Sequence, residues 1–214
     1  INDWRRGAFT GCHRIRKLDY TLLPQQSSCL KEVISELHEQ LLVIYRDGEG
    51  YARLLFPEYY EEGVENTPAR ILMTRVHGSG LYYRNCFDQK NFNFSEYDRR
   101  FHEAKPMESR EFLERLLLGR LMYPYKLSQT GREGYEQYLE EHFRKIVCDL
   151  AQRREQESLR WLAGQWLASE KDRCTEHLNV ILEEVNRAGM PELMSFMMDL
   201  HRRAGKRKKR VFEL

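Results

Sequence analysis

The pattern of hydrophobic and polar residues divides the chain into two stretches of different periodicity. Between about residues 41 and 84, apolar residues form short runs and alternations, which are typical of β-strands. From about Ser109 to Gly205 they recur at helical spacing, with charged residues between them. The pattern predicts an α+β fold: a small antiparallel N-terminal sheet with one helix over residues 1–106, followed by a larger solenoid- or bundle-like helical region over residues 107–214.

The first half of the N-terminal region is predicted to contain a helix and a hairpin. The helix is expected over residues 29–40, because a serine-rich segment that can cap it precedes a helical apolar stripe. The β-type runs at residues 41–45 and 51–56 flank the Asp47-Gly48 pair, which is typical of a tight turn. They predict the first hairpin of the sheet.

A second hairpin is predicted from residues 70–76 and 81–84, joined by the glycine-containing turn at 77–80. The acidic segment at 59–68 is predicted to be a loop. Residues 85–106 are rich in aromatic and polar side chains and are predicted to form a long loop with one helical turn after Ser95.

Five amphipathic helices are predicted in the C-terminal region. Leu139 and Phe143 lie on the apolar stripe of the second of these helices and are predicted to be buried. Gly189 and Gly205 are expected to end the last two helices. The predicted helices cover about residues 109–121, 132–153, 155–169, 175–188 and 191–204.

The last predicted helix pair carries a family resemblance. Residues 187–200, Arg-Ala-Gly-Met-Pro-Glu-Leu-Met-Ser-Phe-Met-Met-Asp-Leu, resemble the inner turn and second helix of an ankyrin repeat. The first helix departs from that family, because it has Thr-Glu-His-Leu at 175–178 instead of Thr-Pro-Leu-His. No second copy occurs at a period near 33 residues. The resemblance implies a solenoid-like helical hairpin that caps a longer array, and it implies no catalysis.

Composition narrows the classes of protein. Hydrophobic residues make up 41% of the chain, which argues against disorder, and no apolar run approaches the roughly 20 residues of a membrane span. The 35 Lys and Arg residues nearly balance 33 Asp and Glu residues, so polyanion binding would require local clustering. Five unevenly spaced cysteines predict a reducing, cytoplasmic compartment. The chain begins at Ile1 without an initiator Met, and we expect it to be a processed product or a piece of a longer protein.

Cys and His residues suggest two kinds of candidate site, a metal site and a nucleophilic cysteine, and the metal site is considered first. Cys12, His13, Cys29, Cys174 and His177 lack the spacing of a zinc signature, so no metal and no cofactor are predicted. Buried, unreactive cysteines are the favoured interpretation, and no catalytic residue is assigned.

A nucleophilic cysteine is the enzymatic alternative. Cys86 follows the predicted hairpin that contains His77, and Asp88 comes next, so a thiolate, a base and an orienting carboxylate would converge there.

Cations cluster in two places. Arg84, Arg99 and Arg100 lie among the aromatic residues of the predicted long loop, a mixture that is found in binders of single-stranded nucleic acid. A second, denser cluster follows Gly205 and consists of Lys206, Arg207, Lys208, Lys209 and Arg210. These eight residues are the candidate nucleic-acid-binding residues.

The leading functional prediction is a non-catalytic interaction module of a larger protein or assembly, with other proteins as partners. The repeat-like helical hairpin supports it. A nucleic-acid-binding module that uses the basic tail and the aromatic–arginine loop is the second interpretation, and a Cys/His-dependent enzyme is the third.

Overall fold

The computed structural model describes residues 7–25, 27–48, 50–66, 71–167 and 174–211. The side chains at 65–66, 71–72, 174–175, 201 and 203–211 lie outside the described set. Small sheets occupy the N-terminal part and helices the C-terminal part, so the predicted α+β fold is confirmed. The chain forms two compact units, residues 1–137 and 138–214.

The first sheet is three-stranded, in the order β1-β2-β3. Strands β2 (Leu41–Asp47) and β3 (Gly50–Phe56) form the predicted hairpin, with Leu41 opposite Phe56. Strand β1 (Lys17–Leu22), which was not predicted, pairs with β2 in parallel. The sheet is therefore mixed, with one parallel and one antiparallel pair. The parallel pair requires a crossover connection between β1 and β2, and this connection contains a helix.

That crossover helix is α1 (Leu30–Glu36), which buries Leu30, Val33 and Ile34. It is shorter than the predicted 29–40, because the backbone is already extended at Leu37 and leads into β2.

The second sheet is a two-stranded ribbon, and it corrects the second predicted hairpin. Strand β5 (Ile71–His77) pairs with β4 (Tyr60–Asn66), which lies in the acidic segment predicted to be a loop. The predicted strand at 81–84 belongs to helix α2 (Gly80–Arg84). Helix α2 begins at a glycine that touches the main chain of the preceding segment, since a Cβ on Gly80 would lie 2.7 Å from the Glu58 carbonyl oxygen.

The predicted long loop at 85–106 contains four short elements. Strands β6 (Phe87–Asp88) and β7 (Asn91–Phe92) form a small hairpin. Helices α3 (Phe94–Arg99) and α4 (Phe101–Ala104) follow. The Asn93 side chain caps α3 by accepting from the Glu96 N–H at 2.9 Å, so only the predicted helical turn after Ser95 is confirmed.

Helix α5 (Arg110–Met122) agrees closely with its prediction and is capped by Ser109. It packs against β3 at Gly119, where an added Cβ would lie 3.5 Å from Arg53. Helix α5 therefore belongs to the first unit, and the two compact units divide after residue 137 and not near residue 106.

The predicted helix over 132–153 is two helices. Helices α6 (Gln129–Glu141) and α7 (Phe143–Gln152) are separated at His142, although the apolar stripe continues across the break. Leu139 and Phe143 are buried, as predicted.

The second unit continues with α8 (Gln156–Trp161), a π-helical turn (Leu162–Trp166), α9 (Cys174–Arg187) and α10 (Pro191–Val211). Gly189 has φ of 63° and follows the end of α9, as predicted. Helix α10 runs through Gly205, so the predicted end of that helix is wrong. In the described ranges, no helix is both long enough and apolar enough to cross a membrane.

Candidate interaction surface

A buried ion pair lies between α3 and α5. The Arg120 Nε donates to Asp98 Oδ1 at 2.7 Å, and both side chains are fully buried. Tyr135 and the Ser128 N–H also donate to this carboxylate, at 3.0 and 3.3 Å. Burial opposes the charged form of Arg120, but hydrogen bonding and charge from Asp98 prevail and raise the pKa of Arg120. The network joins α3, α5 and α6.

A small cavity adjoins this network. Its volume is about 120 Å³, and its lining includes Ser95, Asp98, His102 and Thr130. Typical ligand pockets enclose about 300–1,000 Å³. The buried carboxylate already has four hydrogen-bond donors in the protein, so we assign the cluster a structural role.

Arg84, one of the candidate nucleic-acid-binding residues, is buried and has a structural role. Its guanidinium donates to five backbone carbonyls and lies 5.0 Å from the centre of the Tyr59 ring. Burial lowers the pKa of Arg84 to about 10, so the side chain stays charged at neutral pH. A phosphate cannot reach it. The acceptors are the carbonyls of Ile34, Leu37, Glu39, Pro57 and Gly80.

Arg99 and Arg100 lie at the end of α3 beside carboxylates. The Arg99 Nη2 lies 2.5 Å from Glu96, and Arg100 contacts Glu96 at 2.5 Å and Glu103 at 2.7 Å. The structure therefore does not bring Arg84, Arg99 and Arg100 together as one exposed basic surface.

The aromatic residues of the same segment form part of the core. Tyr97 is fully buried, and its hydroxyl donates to the Leu55 carbonyl at 2.8 Å and accepts from the Leu55 N–H at 2.8 Å. Leu55 lies in β3, at the edge of the first sheet. The tyrosine therefore satisfies two backbone groups that a further strand would otherwise pair.

The proposed catalytic pair has separate environments. Cys86 is buried and donates to the Tyr82 carbonyl, and burial raises the pKa of its thiol to about 12. His77 lies in the ribbon, stacked on Tyr60 and 2.9 Å from Glu62. A neutral thiol is a poor nucleophile, so the geometry gives no support to a Cys86–His77 pair.

The candidate metal ligands are also dispersed. His13 lies near Glu39, and His177 lies 3.1 Å from Glu140. Cys29 directly precedes α1. The Cys174 side chain is outside the described residues. Among the residues that are described, no group of three or more His, Cys, Asp or Glu side chains is placed to hold a metal ion.

The β4–β5 ribbon is a surface on which a further strand could form backbone hydrogen bonds. Seven cross-strand pairs join the strands, from Tyr60–His77 to Asn66–Ile71. No other strand of the described chain pairs with the outer edge of either strand. Isolated two-stranded hairpins are marginally stable in water, and an unpaired edge is a template for another strand.

Apolar and charged residues alternate along one face of the ribbon. Tyr60 is 61% exposed and Met73 is 56% exposed. The pairing register places Tyr60, Glu62 and Val64 of β4 on this face, opposite His77, Arg75 and Met73. The Glu62–Arg75 pair therefore lies between two pairs that contain the exposed apolar side chains Tyr60 and Met73. These side chains offer an apolar contact area on this face.

Carboxylates predominate on β4 and just before it. Glu58 and Glu61 are exposed, and neither has a salt-bridge partner among the described residues. Glu62 is exposed and contacts His77. No Lys or Arg occurs between residues 58 and 69. We call the outer edge of β4, with Glu58, Glu61 and Glu62, the acidic edge.

The basic cluster at 206–210 lies on the last turns of α10, whose backbone is helical to Val211. Its side chains are outside the described residues.

Comparison of the chain with protein-family models, with curated proteins and with solved structures finds no match. The resemblance of residues 187–200 to an ankyrin repeat stays a prediction.

Proposed function

We propose that the protein is a non-catalytic interaction module of a larger assembly, and that the acidic edge of β4 receives an extended, basic segment of a partner protein. The observation that carries this proposal is a two-stranded ribbon whose outer edge has no neighbouring strand in the described chain. A third strand would extend a sheet that is marginal with two. Strand addition supplies affinity through backbone hydrogen bonds and specificity through side-chain pockets.

The edges at β3 and β4 differ in a way that supports this assignment. At β3, the Tyr97 hydroxyl occupies the N–H and carbonyl of Leu55. At β4, the described chain supplies no comparable group. A partner strand is therefore better accommodated at β4 than at β3.

Charge indicates the chemistry of the partner. A strand added beside β4 places its side chains next to Glu61 on one face and Glu62 on the other. Lys or Arg at those positions forms favourable cross-strand pairs, each contributing about 0.2–1 kcal/mol. Apolar residues of the same strand would cover Tyr60 and Val64. The segment that fits best therefore has two consecutive basic residues, opposite Glu61 and Glu62, flanked by apolar residues.

Binding of a designed peptide tests the proposal. The probe is a fluorescein-labelled peptide of about ten residues that repeats the motif Val-Lys-Lys-Val, a length within the usual range of strands. We expect saturable binding in a fluorescence anisotropy titration. The same peptide with every backbone nitrogen methylated has no N–H to donate from either edge, so its binding should be lost.

A charge-reversal pair separates the acidic edge from general charge attraction. The variant Glu61→Lys/Glu62→Lys should weaken binding about tenfold, which corresponds to about 1.4 kcal/mol. The control Glu133→Lys/Glu141→Lys changes net charge equally at exposed positions of α6 and should bind like the parent. Equal binding by the methylated peptide, or equal losses in the two variants, would contradict the proposal.

A further inference from the structure

The end of α10 combines high positive charge with a regular backbone. Seven of the nine residues from Arg202 to Arg210 are Lys or Arg, and no Asp or Glu occurs from residue 200 to 212. The helix continues through this segment to Val211. The sequence alone predicted that the helix ends at Gly205, with Lys206 to Arg210 beyond it. The structure instead places them on a helix.

Helical geometry groups these cations along the axis. Residues separated by three, four and seven positions lie on the same side of a helix, so Arg203, Lys206, Arg207 and Arg210 occupy positions on one face. At 1.5 Å per residue, the segment from 202 to 210 is roughly 13 Å long. An α-helix with its side chains is about 10–12 Å in diameter, which fits the major groove of B-form DNA, about 12 Å wide.

We propose that this helical end of α10 binds the phosphate backbone of duplex nucleic acid without strong sequence preference. Each phosphate that a Lys or Arg neutralises releases condensed counterions, and this release is the main source of non-specific affinity. The site goes beyond the proposed strand addition, because it lies in the second unit and uses the opposite charge.

An anionic membrane is the competing polyanion, and the composition of the segment disfavours it. Helices that lie in a membrane interface bury an apolar face containing large residues such as Leu, Phe or Trp. Between 202 and 211 the uncharged residues are Ala204, Gly205 and Val211 only. A segment of this kind can neutralise phosphates but has little to insert among acyl chains.

The test is a salt titration of binding to a labelled duplex DNA of about two helical turns, a length that covers the segment. The main variant replaces the five consecutive cations by glutamine, which keeps helix propensity. Its affinity should fall at least tenfold, and the slope of log K against log salt should decrease by about 0.9 for each phosphate that is no longer neutralised. The substitutions are Lys206→Gln, Arg207→Gln, Lys208→Gln, Lys209→Gln and Arg210→Gln.

A matched control removes five exposed cations of the first unit and should keep the parent affinity within about twofold. A second variant, Gly205→Pro, keeps every cation but interrupts the helix, and should weaken binding severalfold. The control substitutions are Arg14→Gln, Lys17→Gln, Arg46→Gln, Lys90→Gln and Arg115→Gln.

Three results would overturn the proposal. If the five-glutamine variant and the parent have equal affinity and an equal salt slope, the segment does not bind DNA. Parent-like affinity of Gly205→Pro would remove the requirement for a continuous helix. Tighter binding to phosphatidylserine vesicles than to DNA at the same salt concentration would assign the segment to membranes. None of these outcomes bears on the acidic edge of β4, so the two proposals fail separately.

Discussion

At the scale of single residues, two buried tyrosines differ in what surrounds their hydroxyls. Both Tyr83 and Tyr97 are fully buried, and their rings pack edge to face with 4.9 Å between the ring centroids. The Tyr97 hydroxyl pairs with both backbone groups of Leu55. The Tyr83 hydroxyl has no hydrogen-bond partner among the described residues. The same substitution should therefore have opposite effects at the two positions.

We expect Tyr97→Phe to lower the free energy of unfolding by about 1–3 kcal/mol, because it leaves a buried N–H and carbonyl unpaired. Tyr83→Phe should leave stability unchanged or raise it by about 1 kcal/mol, because it removes an unpaired buried hydroxyl. Urea unfolding of the two variants and the parent measures both effects. Equal destabilisation by the two substitutions would show that the Leu55 hydrogen bonds contribute nothing.

The thiol of Cys86 gives a second residue-scale prediction. Burial raises its pKa to about 12, so the thiolate is scarce at neutral pH. In the native protein, Cys86 should react with Ellman's reagent far more slowly than Cys12, which is exposed. Cys86→Ser and Cys12→Ser variants identify the two reactions. Fast labelling of Cys86 at neutral pH would restore it as a candidate nucleophile.

At the scale of elements, two glycines of α6 face α3 and α4 at different distances. A Cβ at Gly131 would lie 2.5 Å from the Cβ of Asp98, whereas one at Gly134 would lie 3.2 Å from the Nε2 of His102. Asp98 is fixed by its buried network, and His102 is exposed. Steric conflict should therefore outweigh helix propensity at Gly131 only.

Replacing each glycine by alanine measures that difference. Gly131→Ala should destabilise the protein by about 1–3 kcal/mol, the usual cost of overpacking. Gly134→Ala should stabilise it by up to about 1 kcal/mol, because alanine is the better helix former and the His102 ring can move. Thermal melts of both variants provide the comparison. A stabilising Gly131→Ala would contradict the close packing of α6 on α3.

The elements also show which features sequence patterns can predict. The β2–β3 hairpin and α5 follow the local rules, because one face of each is buried and a turn pair or a capping serine marks an end. Strand β4 was missed because it contains Glu61, Glu62 and Gly63, and a ribbon that is exposed on both faces has no alternation of apolar and polar residues.

Other differences have equally local causes. The break between α6 and α7 at His142 is invisible in the sequence, since the apolar stripe continues from Tyr138 to Phe143. Arg84 is buried against carbonyls of residues up to fifty positions away in the chain. The local sequence does not show these contacts, and its composition therefore suggested an exposed cation. The acidic edge was not predicted, because the strand that carries it was not.

At the scale of the whole molecule, buried thiol and phenol groups predict a loss of stability in alkali. Burial raises the pKa of Cys86 from 9.0 to about 12 and raises those of Tyr83, Tyr97 and Tyr135 from 10.0. These groups ionise at ordinary values in the unfolded chain. Above about pH 9 the unfolded state therefore binds fewer protons than the folded state, and the free energy of unfolding decreases as pH rises.

We expect the full contribution of these groups below about pH 8 and a loss of about 2 kcal/mol between pH 8 and pH 10. Arg84 keeps its charge over most of this interval, so the free energy of unfolding still decreases as pH rises. Urea unfolding at each pH measures the loss, and Cys86→Ala should remove about 1 kcal/mol of it. Stability that is constant or rises over this interval would contradict the burial of these groups.

The central claim is that β4 accepts a further strand at its acidic edge. Hydrogen exchange with mass spectrometry, with and without the Val-Lys-Lys-Val peptide, tests this directly. We predict slower exchange of amides in residues 60–66 when the peptide is bound, with no change in β3 (Gly50–Phe56) and no change with the backbone-methylated peptide. Unchanged exchange across residues 60–66 at a peptide concentration that saturates binding would contradict strand addition at β4.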